Sequence, residues 1–435
     1  EPLRDLWQRS CTNLTPEESK KVAWMLNKHA SVFALSDLDI GKTNLVTHKI
    51  DTGTAKPVKQ RPRRTSPRKQ AEIDRQVVDL LERGFIKESD SAWSSPIVLV
   101  TKKDGSQRLC VDYRAVNALT VPCAYPLPRI DDSLNALSGA KWFSTLDLAS
   151  GYWQVPMDPD SSPKVAFVTT SGLYEWNRMP FGLTSAPSTF EKLMESVLKG
   201  LKLETCLIYL DDVIVWGRTF PEELDRLEEV FSRFSSAGLK LKPRKCLLFQ
   251  TSVPYLGHIV TDQGIQTDPA KVEKVRDWPV PESATEVKSF LGLASYYRRF
   301  CPRFADVARP LYKLTENKSD FVWSSECQST FETLKELLCS APILSYPDFN
   351  EQFVLDTDAS NHGIGAVLSQ GGKPIAYASR TLSKAERNYC VTRKELLAIV
   401  EFVKHFRHYL QGPKFLVRTD HAPLRSVLKV KEPEG

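Results

Sequence analysis

Two adjacent carboxylates, Asp211 and Asp212, interrupt an apolar stretch near the middle of the chain. Four apolar residues precede the pair and four follow it, and β-branched and aromatic side chains are frequent on both sides. This pattern predicts a β-hairpin with the two acids at its turn. Because unpaired carboxylates are costly to remove from water, two of them in an apolar hairpin indicate a bound divalent cation. A plain turn is the alternative.

The composition is that of a multidomain globular protein. The 435 residues are 41% hydrophobic and 26% charged, enough for several separate cores. No apolar run reaches the roughly 20 residues of a membrane span and no signal peptide begins the chain, so we expect a cytoplasmic protein without membrane contact. The nine cysteines form no Cys-x-x-Cys pair, which argues against a zinc ribbon. Lacking an initiator Met, the chain is expected to be part of a longer polypeptide.

Basic residues are clustered, although the net charge is only +6. Seven Lys or Arg and no acid occur between residues 56 and 69, and further clusters cover residues 240–245 and 296–303, the last with aromatic neighbours. Each cluster alone is consistent with a solvated face. Together they favour a surface that follows a phosphate backbone.

Helix and strand patterns alternate along the chain. A capping box from Thr15 to Glu18 begins one helix, and residues 50–67 have the composition of an extended linker. Further helices are predicted at 70–83, 188–198, 221–237, 284–294, 326–339 and 393–410. Strands are predicted at 96–101, 108–113, 142–147, 353–358, 365–369, 374–379 and 415–420. This order around a central antiparallel hairpin predicts an α+β fold.

A third carboxylate supports the metal interpretation of the hairpin. Asp147 ends the apolar strand 142–147, where a strand-end cap is the alternative role. Three carboxylates on adjacent strand ends could bind two Mg²⁺ ions about 4 Å apart, one activating an attacking hydroxyl and one holding a leaving phosphate. The three acids therefore predict nucleotidyl transfer.

Four motifs carry a specific resemblance. They are Arg108-Leu-Cys-Val-Asp-Tyr-Arg-Ala-Val-Asn117, Phe143-Ser-Thr-Leu-Asp-Leu-Ala-Ser-Gly-Tyr-Trp-Gln154, Met179-Pro-Phe-Gly-Leu-Thr-Ser-Ala-Pro187 and Tyr209-Leu-Asp-Asp212. In order and spacing they resemble the reverse transcriptase region of the Pol polyprotein of gypsy-type long-terminal-repeat retrotransposons (Metaviridae). The resemblance covers the chain from about residue 45 onward and implies that Asp147, Asp211 and Asp212 are the catalytic, metal-binding acids of the palm.

The resemblance also implies a right-hand polymerase with fingers, palm and thumb, a short connection and a truncated ribonuclease H-like α/β domain. The expected boundaries are an N-terminal helix and basic linker at 1–60, fingers and palm at 61–265, thumb at 266–318, connection at 319–350 and partial ribonuclease H at 351–435.

Five residues match the nucleotide site of the family. Arg108 and either Lys102 or Lys103, at a fingertip turn, would grip the triphosphate, because guanidinium and ammonium groups suit phosphate. Tyr152 matches the aromatic gate against the 2′-hydroxyl of ribonucleotides, with a core aromatic as the alternative. Phe181 stands where retroviral relatives carry Gln, so only stacking or packing is expected of it.

The primer terminus is expected to meet a second group of residues. Tyr255, Gly257 and His258 lie where the family places its primer grip, although His258 is equally consistent with a surface histidine. Arg298 and Arg299, in the third basic cluster, are expected to bind template-primer phosphates from the thumb.

A second set of acids resembles the ribonuclease H site. Asp358, Glu395 and Asp420 would be its catalytic, metal-binding residues, with Asp356 as a rival for Asp358. Taken alone, Glu395 would usually be interpreted as a solvated helix carboxylate. The family has a fourth acid beyond Asp420 and the chain ends at Gly435, so we expect weak or absent hybrid hydrolysis.

The resemblance implies an RNA- and DNA-dependent DNA polymerase that extends a primer with deoxynucleoside triphosphates (dNTPs). The expected cofactors are two Mg²⁺ or Mn²⁺ ions per active site. The expected partners are an RNA/DNA hybrid, a DNA duplex and a tRNA or other RNA primer, within cytoplasmic virus-like particles and with a later nuclear stage open. An RNA-dependent RNA polymerase and a non-catalytic nucleic-acid-binding relic are the alternatives. Tyr152 and the ribonuclease H resemblance argue against the first, and the three palm acids against the second.

Overall fold

The chain forms two compact units that each combine helices and sheets. The computed structural model describes residues 1–36, 39–101, 105, 107–126, 128–316, 321–412 and 414–424. One unit contains Glu1–Ala136 and Ala140–Val253, and the other contains Leu137–Gly139 and the chain from Pro254 onward. The expected α+β class is confirmed. Within the described residues, no helix is long and apolar enough to cross a membrane.

The first unit is built around two sheets. Its helices are α1 (Pro2–Ser10), α2 (Pro16–Lys28), α3 (Pro67–Glu82), α4 (Arg114–Leu119), α5 (Ile130–Asn135), α6 (Ala186–Val197) and α7 (Phe220–Ser236). Its strands are β1 (Ile86–Glu88), β2 (Ser95–Thr101), β3 (Gln107–Val111), β4 (Trp142–Asp147), β5 (Phe167–Val168), β6 (Leu173–Trp176), β7 (Cys206–Tyr209), β8 (Asp212–Gly217) and β9 (Leu247–Gln250). The strand orders are β1-β6-β5-β2-β3 and β7-β8-β4-β9.

The β7-β8-β4-β9 sheet is supported by buried apolar side chains. Helix α7 packs on β8 and β4, and α6 packs on β7. Phe190 from α6 and Phe234 from α7 are fully buried in the same core as Val213 and Val215 of β8. Apolar burial of this kind stabilises a domain by about 25 cal/mol per Å². The core therefore fixes the strands whose ends carry the predicted palm acids.

The second unit begins within β10 (Ser252–Tyr255) and contains two further sheets. Its other strands are β11 (His258–Thr261), β12 (Gly264–Thr267), β13 (Val354–Ala359), β14 (Gly363–Gln370), β15 (Lys373–Thr381) and β16 (Leu416–Arg418). Its helices are α8 (Pro269–Arg276), α9 (Ala284–Tyr296), α10 (Phe304–Lys313), α11 (Ser325–Cys339), α12 (Val391–His405) and α13 (Arg407–Leu410). The strand orders are β10-β11-β12 and β15-β14-β13-β16, and β13 and β16 run parallel.

Most of the predicted elements are present, with ends shifted by at most three residues. The capping box is confirmed, since the Thr15 hydroxyl accepts from the Glu18 amide and the Glu18 carboxylate accepts from the Thr15 amide. The single helix predicted at 393–410 is wrong, because the chain breaks at Phe406 into α12 and α13. The α1 helix was not predicted, although Pro2 and the spacing of Leu3, Leu6 and Trp7 indicate it.

A buried carboxyl lies behind the strand that ends at Asp147. Glu223 of α7 is fully buried, and its Oε1 accepts from the Ser144 hydroxyl of β4 at 2.5 Å. Ser144 in turn accepts from the Phe249 amide at 3.1 Å, so one hydroxyl joins α7, β4 and β9. Burial raises the pKa of Glu223 to about 8, although its bond with Ser144 and the charge of Arg226 act in the opposite direction.

Glu223 should make the stability of the protein depend on pH. Between about pH 4.5 and 8 the folded protein holds a proton on Glu223 that the unfolded chain releases, so stability falls as pH rises through this window. One such proton contributes about 1.4 kcal/mol per pH unit. Glu223→Gln should therefore remove about 2.5 kcal/mol of the stability difference between pH 5.5 and 7.5, measured by urea unfolding. An unchanged difference would mean that Glu223 is ionised in the folded protein.

Candidate active site

The three predicted palm acids lie at one end of the β7-β8-β4-β9 sheet. Strands β7 and β8 form the predicted hairpin, in which Tyr209 pairs with Asp212 and the turn consists of Leu210 and Asp211. Strand β4 pairs antiparallel with β8, and this register places Asp147 directly opposite Asp212. Hydrogen bonding between neighbouring strands therefore brings together carboxylates that are far apart in the sequence.

The three acids are close enough for the charge of one to raise the pKa of another. The pKa of Asp212 is raised to about 6 because the surrounding protein removes part of its hydration and because Asp211 and Asp147 carry negative charge nearby. The pKa of Asp147 is also raised by partial burial and by Asp211, while Lys245 opposes this change. Bringing a divalent cation to such a set would relieve its mutual repulsion. The donor set thus has the chemistry that Mg²⁺ requires.

Lys245 is the direct partner of Asp147 in this structure. Its Nζ lies 2.9 Å from Asp147 Oδ2. In the part of the chain that is described, no group of three or more His, Cys, Asp or Glu side chains converges on one metal position. Lys245 belongs to a short 3₁₀ turn whose carbonyls at Pro243 and Cys246 both accept from the Arg9 guanidinium at 2.9 Å. Helix α1 thus helps to place the ammonium group beside Asp147.

The residues expected to bind the nucleotide form a stack. The Arg108 guanidinium lies 4.0 Å from the centre of the Phe181 ring, and the Phe181 and Tyr152 rings are 5.3 Å apart. Tyr152 also packs on the buried Phe190 at 5.4 Å. Its pKa is raised to about 12 by burial and by the negative charge of Asp211. Tyr152 is therefore half-buried next to the acid hairpin, and its role as a gate stays a prediction.

Phe181 serves as the platform for Arg108. Its ring is 37% exposed, so one part contacts the protein and another remains accessible. The expectation of packing without hydrogen bonding agrees with this cation–π contact. Lys102 and Lys103 lie outside the described residues, as does most of the turn predicted between β2 and β3.

The expected primer-grip residues lie in the second unit, at the turn between β10 and β11. Leu256 and Gly257 occupy this two-residue turn with φ of +47° and +75°, the pattern of a type I′ hairpin turn. The Tyr296 hydroxyl donates to the Leu256 carbonyl at 2.5 Å and the Tyr297 hydroxyl to the Gly257 carbonyl at 2.7 Å. Two tyrosines at the C-terminal end of α9, within the predicted thumb, thus hold the turn.

His258 is buried, so its interpretation as a surface histidine is wrong. Its exposed fraction is 2%, and its ring stacks on Phe300 with centroids 5.6 Å apart. Tyr255 is also buried, whereas Arg298 is exposed and Arg299 is half-buried. Of these four residues, Arg298 has the exposure that a phosphate contact requires.

The acids of the second set lie near one another at the C-terminal ends of the parallel strands β13 and β16. Asp358 lies on β13, Asp420 follows β16, and Glu395 projects from α12 and accepts from the Ala359 amide at 3.2 Å. Burial raises the pKa of Glu395, and the charges of Asp420 and Asp358 raise it further. Glu395 is 4% exposed, so its interpretation as a solvated helix carboxylate is wrong.

Two arginines distinguish the acids on β13. Both oxygens of Asp356 accept from the Arg418 guanidinium, at 2.5 and 2.7 Å, so a metal could use this carboxylate only by displacing Arg418. Asp358 instead lies 3.5 Å from Arg303 Nη1, in an exposed ion pair. Next to it, the Ser360 hydroxyl donates to Asp306 at 2.8 Å.

Two family models match the chain. Residues 100–260 match the reverse transcriptase (RNA-dependent DNA polymerase) family, and residues 323–417 match the RNase H-like domain found in reverse transcriptase. The chain therefore contains a reverse transcriptase domain followed by an RNase H-like domain. The Asp-Asp hairpin lies within the first matched range, and Asp358 and Glu395 lie within the second.

Retrotransposon Pol polyproteins are similar to this chain along most of its length. It is 40% identical over 435 residues to the retrovirus-related Pol polyprotein from transposon 297 of Drosophila melanogaster, which covers 99% of this chain and 41% of the relative. The corresponding polyprotein from transposon gypsy is 38% identical over 371 residues, covering 81% and 36%. The chain thus spans about two fifths of the length of the curated relatives it matches.

Solved structures confirm the expected fold of the chain. The foamy viral protease-reverse transcriptase in complex with double-stranded DNA has a TM-score of 0.89 and 28% identity, covering all of this chain and 92% of that one. The same viral protein in complex with an RNA/DNA hybrid has a TM-score of 0.84 and 27% identity, covering 99% and 59%. The expected order of reverse transcriptase and ribonuclease H-like domains is confirmed. The finer boundaries of fingers, palm, thumb and connection stay predictions.

Sequence reasoning missed residues that act on the predicted site through the fold. Lys245 was recognised only as part of a basic cluster, and its pairing with Asp147 depends on α1 and the 3₁₀ turn. Gln154 is fully buried and binds the carbonyls of Ala149 and Lys240 as well as the Lys240 amide, which ties the loop after β4 to the segment before Lys245. The sequence offered one signal for this role, because Gln154 is a polar residue two positions after Tyr152.

Proposed function

We propose that this reverse transcriptase copies RNA and DNA templates into DNA by extending a primer 3′-hydroxyl with dNTPs. The observation that carries the proposal is the strand register that sets Asp147 opposite Asp212, with Asp211 in the adjoining turn. Three neighbouring carboxylates, in which the charges of Asp211 and Asp147 raise the pKa of Asp212, are a suitable site for divalent cations. We further propose that the partners are an RNA/DNA hybrid, a DNA duplex and a tRNA or other RNA primer, in cytoplasmic particles.

The proposed metals are two Mg²⁺ or Mn²⁺ ions, held by Asp147, Asp211 and Asp212. When bound, they would supply Lewis-acid activation of the primer hydroxyl and neutralise charge on the triphosphate. The chain's own residues position the substrates. The Arg108 guanidinium, fixed over Phe181, attracts the triphosphate, and the Tyr152 ring fills the space beside the sugar.

The experiment that tests this function is primer extension with a labelled DNA primer on RNA and on DNA templates. With Mg²⁺ and dNTPs, the purified protein should extend the primer on both templates. Faster extension with ribonucleoside triphosphates than with dNTPs would instead support an RNA-dependent RNA polymerase. A folded protein that binds the template-primer but extends neither would support the non-catalytic alternative.

A second function, hydrolysis of the RNA strand of a hybrid, is proposed for the ribonuclease H-like domain. The supporting observation is the buried Glu395 carboxyl in the combined field of Asp358 and Asp420. When bound there, divalent cations would activate the attacking water. The Arg303 ion pair competes for Asp358 and must open before the carboxylate can serve a metal.

We expect slow hybrid cleavage that increases when Arg303 is replaced. Because an exposed ion pair contributes at most about 1 kcal/mol, Arg303→Ala should raise cleavage by no more than about fivefold. The measurement is release of labelled RNA from a hybrid, with Arg309→Ala as a control on helix α10. A decrease in Arg303→Ala would mean that this arginine helps to bind the hybrid, and any product that survives Glu395→Gln would come from another nuclease.

A further inference from the structure

The turn that carries Asp211 has a backbone conformation that leucine rarely adopts. Leu210 has φ of +57°, whereas Asp211, the other residue of this two-residue turn, has no positive φ. A positive φ at the first central position is the signature of a type II′ hairpin turn, where glycine is preferred because a Cβ atom is strained there. The Leu210–Asp211 turn therefore needs an interaction that holds Leu210 in place.

Glu191 supplies that interaction. This residue of α6 is fully buried, and its Oε2 accepts a hydrogen bond from the Leu210 amide at 2.7 Å. Its other oxygen, Oε1, is buried and has no hydrogen-bond partner in the described structure. Burying a carboxyl group costs free energy that a single hydrogen bond does not fully recover. The position of Glu191 is therefore explained by what its bond with the Leu210 amide does.

The neighbouring charged residues do not account for Glu191. Lys202, the nearest cation to affect it, makes its ion pair with Glu195, one turn further along α6. Glu195 also accepts from the Tyr125 hydroxyl. The carboxyl of Glu195 thus binds Lys202 and Tyr125, whereas that of Glu191 binds the Leu210–Asp211 turn.

We propose that Glu191 is a positioning residue that holds the Leu210–Asp211 turn in the strained conformation which presents Asp211 next to Asp212 and Asp147. This inference rests on the proposed polymerase function, because it assigns Glu191 to the same site. The chemical basis is one charge-assisted hydrogen bond from a rigid helix to the amide of the strained residue. Without it, the turn would relax towards conformations in which Asp211 is displaced.

Single substitutions test the hydrogen bond. Glu191→Gln keeps a carbonyl oxygen that can accept from the Leu210 amide, so its rate of nucleotide incorporation should stay within a few-fold of the unaltered protein. Glu191→Leu fills the same space without an acceptor, and its rate should fall about 10- to 100-fold, the effect of losing a hydrogen bond to a charged group. The Mg²⁺ concentration at half-maximal rate should rise, while template-primer affinity should not change. Glu195→Leu is the matched control on the same helix and should leave the Mg²⁺ dependence unaltered.

A rescue experiment separates positioning from general stability. Glycine adopts positive φ without strain, so Leu210→Gly in the Glu191→Leu background should recover at least several-fold of the lost rate. Equal losses in Glu191→Gln and Glu191→Leu, or no recovery in the double variant when it is folded by circular dichroism, would overturn the proposal.

Hydrogen–deuterium exchange provides a readout that does not depend on activity. Peptides that contain Leu210 should exchange faster in Glu191→Leu than in the unaltered protein, and Glu195→Leu should show no such change. If exchange changes as expected but the unaltered protein does not extend primers, the polymerase proposal fails while the role of Glu191 in the turn stands. Unchanged exchange would overturn the Glu191 proposal even in an active polymerase.

Discussion

Replacing Asp211 with Asn is expected to lower the rate of primer extension at least about 1,000-fold. The substitution keeps the size and the turn position of the side chain but removes one negative charge from the set formed with Asp147 and Asp212. Stabilisation by metal coordination is worth several kcal/mol, and each 1.4 kcal/mol corresponds to a tenfold rate. The measurement is single-turnover incorporation of one dNTP on a primed RNA template.

The stability of the Asp211→Asn protein should not decrease, because removing one of three neighbouring carboxylates lowers the electrostatic repulsion in the folded state. Asp225→Asn, at an exposed position on α7, is the matched control and should retain full activity. Affinity for the template-primer should also be unchanged in Asp211→Asn. Extension at a normal rate by this variant would contradict the assignment of Asp211 to the catalytic site.

Replacing Tyr152 with Ala is expected to relax selection against ribonucleotides by about 10- to 100-fold. The ring packs between Phe181 and Phe190 beside the acid hairpin, so its removal opens space next to the nucleotide sugar. Loss of such a pocket contact changes discrimination by about 1–3 kcal/mol. This discrimination is measured as the kcat/KM for a dNTP divided by the kcat/KM for the matching ribonucleoside triphosphate.

Tyr152→Phe distinguishes the ring from the hydroxyl. In a gate that works by shape, the phenylalanine variant should keep the selectivity of the unaltered protein, because it keeps the ring. If Tyr152→Ala loses activity with both kinds of nucleotide equally, Tyr152 is a structural aromatic and the gate assignment is wrong.

The sequence predicted those features of the fold that depend on local patterns. The Asp-Asp hairpin followed from apolar flanks of strand length, and the helix after Thr15 followed from a capping box that satisfies its first amides. Asp147 could be associated with the hairpin because all three acids end apolar strands. Only the structure shows the register that sets Asp147 opposite Asp212, since register depends on how separate strands pair.

The parts that could not be predicted depend on contacts between distant segments. His258 is buried because Phe300, more than 40 residues later, covers its ring, and no local pattern specifies this. The segment that carries Lys245 to Asp147 is bound by Arg9, which lies more than 230 residues earlier in the chain. Glu191 directly follows the buried Phe190 on α6, but the partner that gives it a role is the backbone of Leu210.

In the ribonuclease H-like domain, the choice between two acids on β13 also depends on a contact with a distant segment. Asp356 and Asp358 are equivalent by strand position, and only sequence context favoured Asp358. The structure separates them, because Arg418 from the neighbouring strand pairs with Asp356. A pattern can name the candidate acids of a site, whereas their partners in space decide which of them is available for chemistry.

The most direct test of the central claim is template-directed incorporation of a single nucleotide by the purified protein. A DNA primer annealed to RNA is supplied with Mg²⁺ and each of the four dNTPs in turn, beside the same reactions with Asp211→Asn. We predict that the primer gains one residue with the dNTP complementary to the template base and that the variant adds none at a comparable rate. If a folded protein that binds the hybrid adds no nucleotide, or adds all four alike, the chain is not a template-directed DNA polymerase.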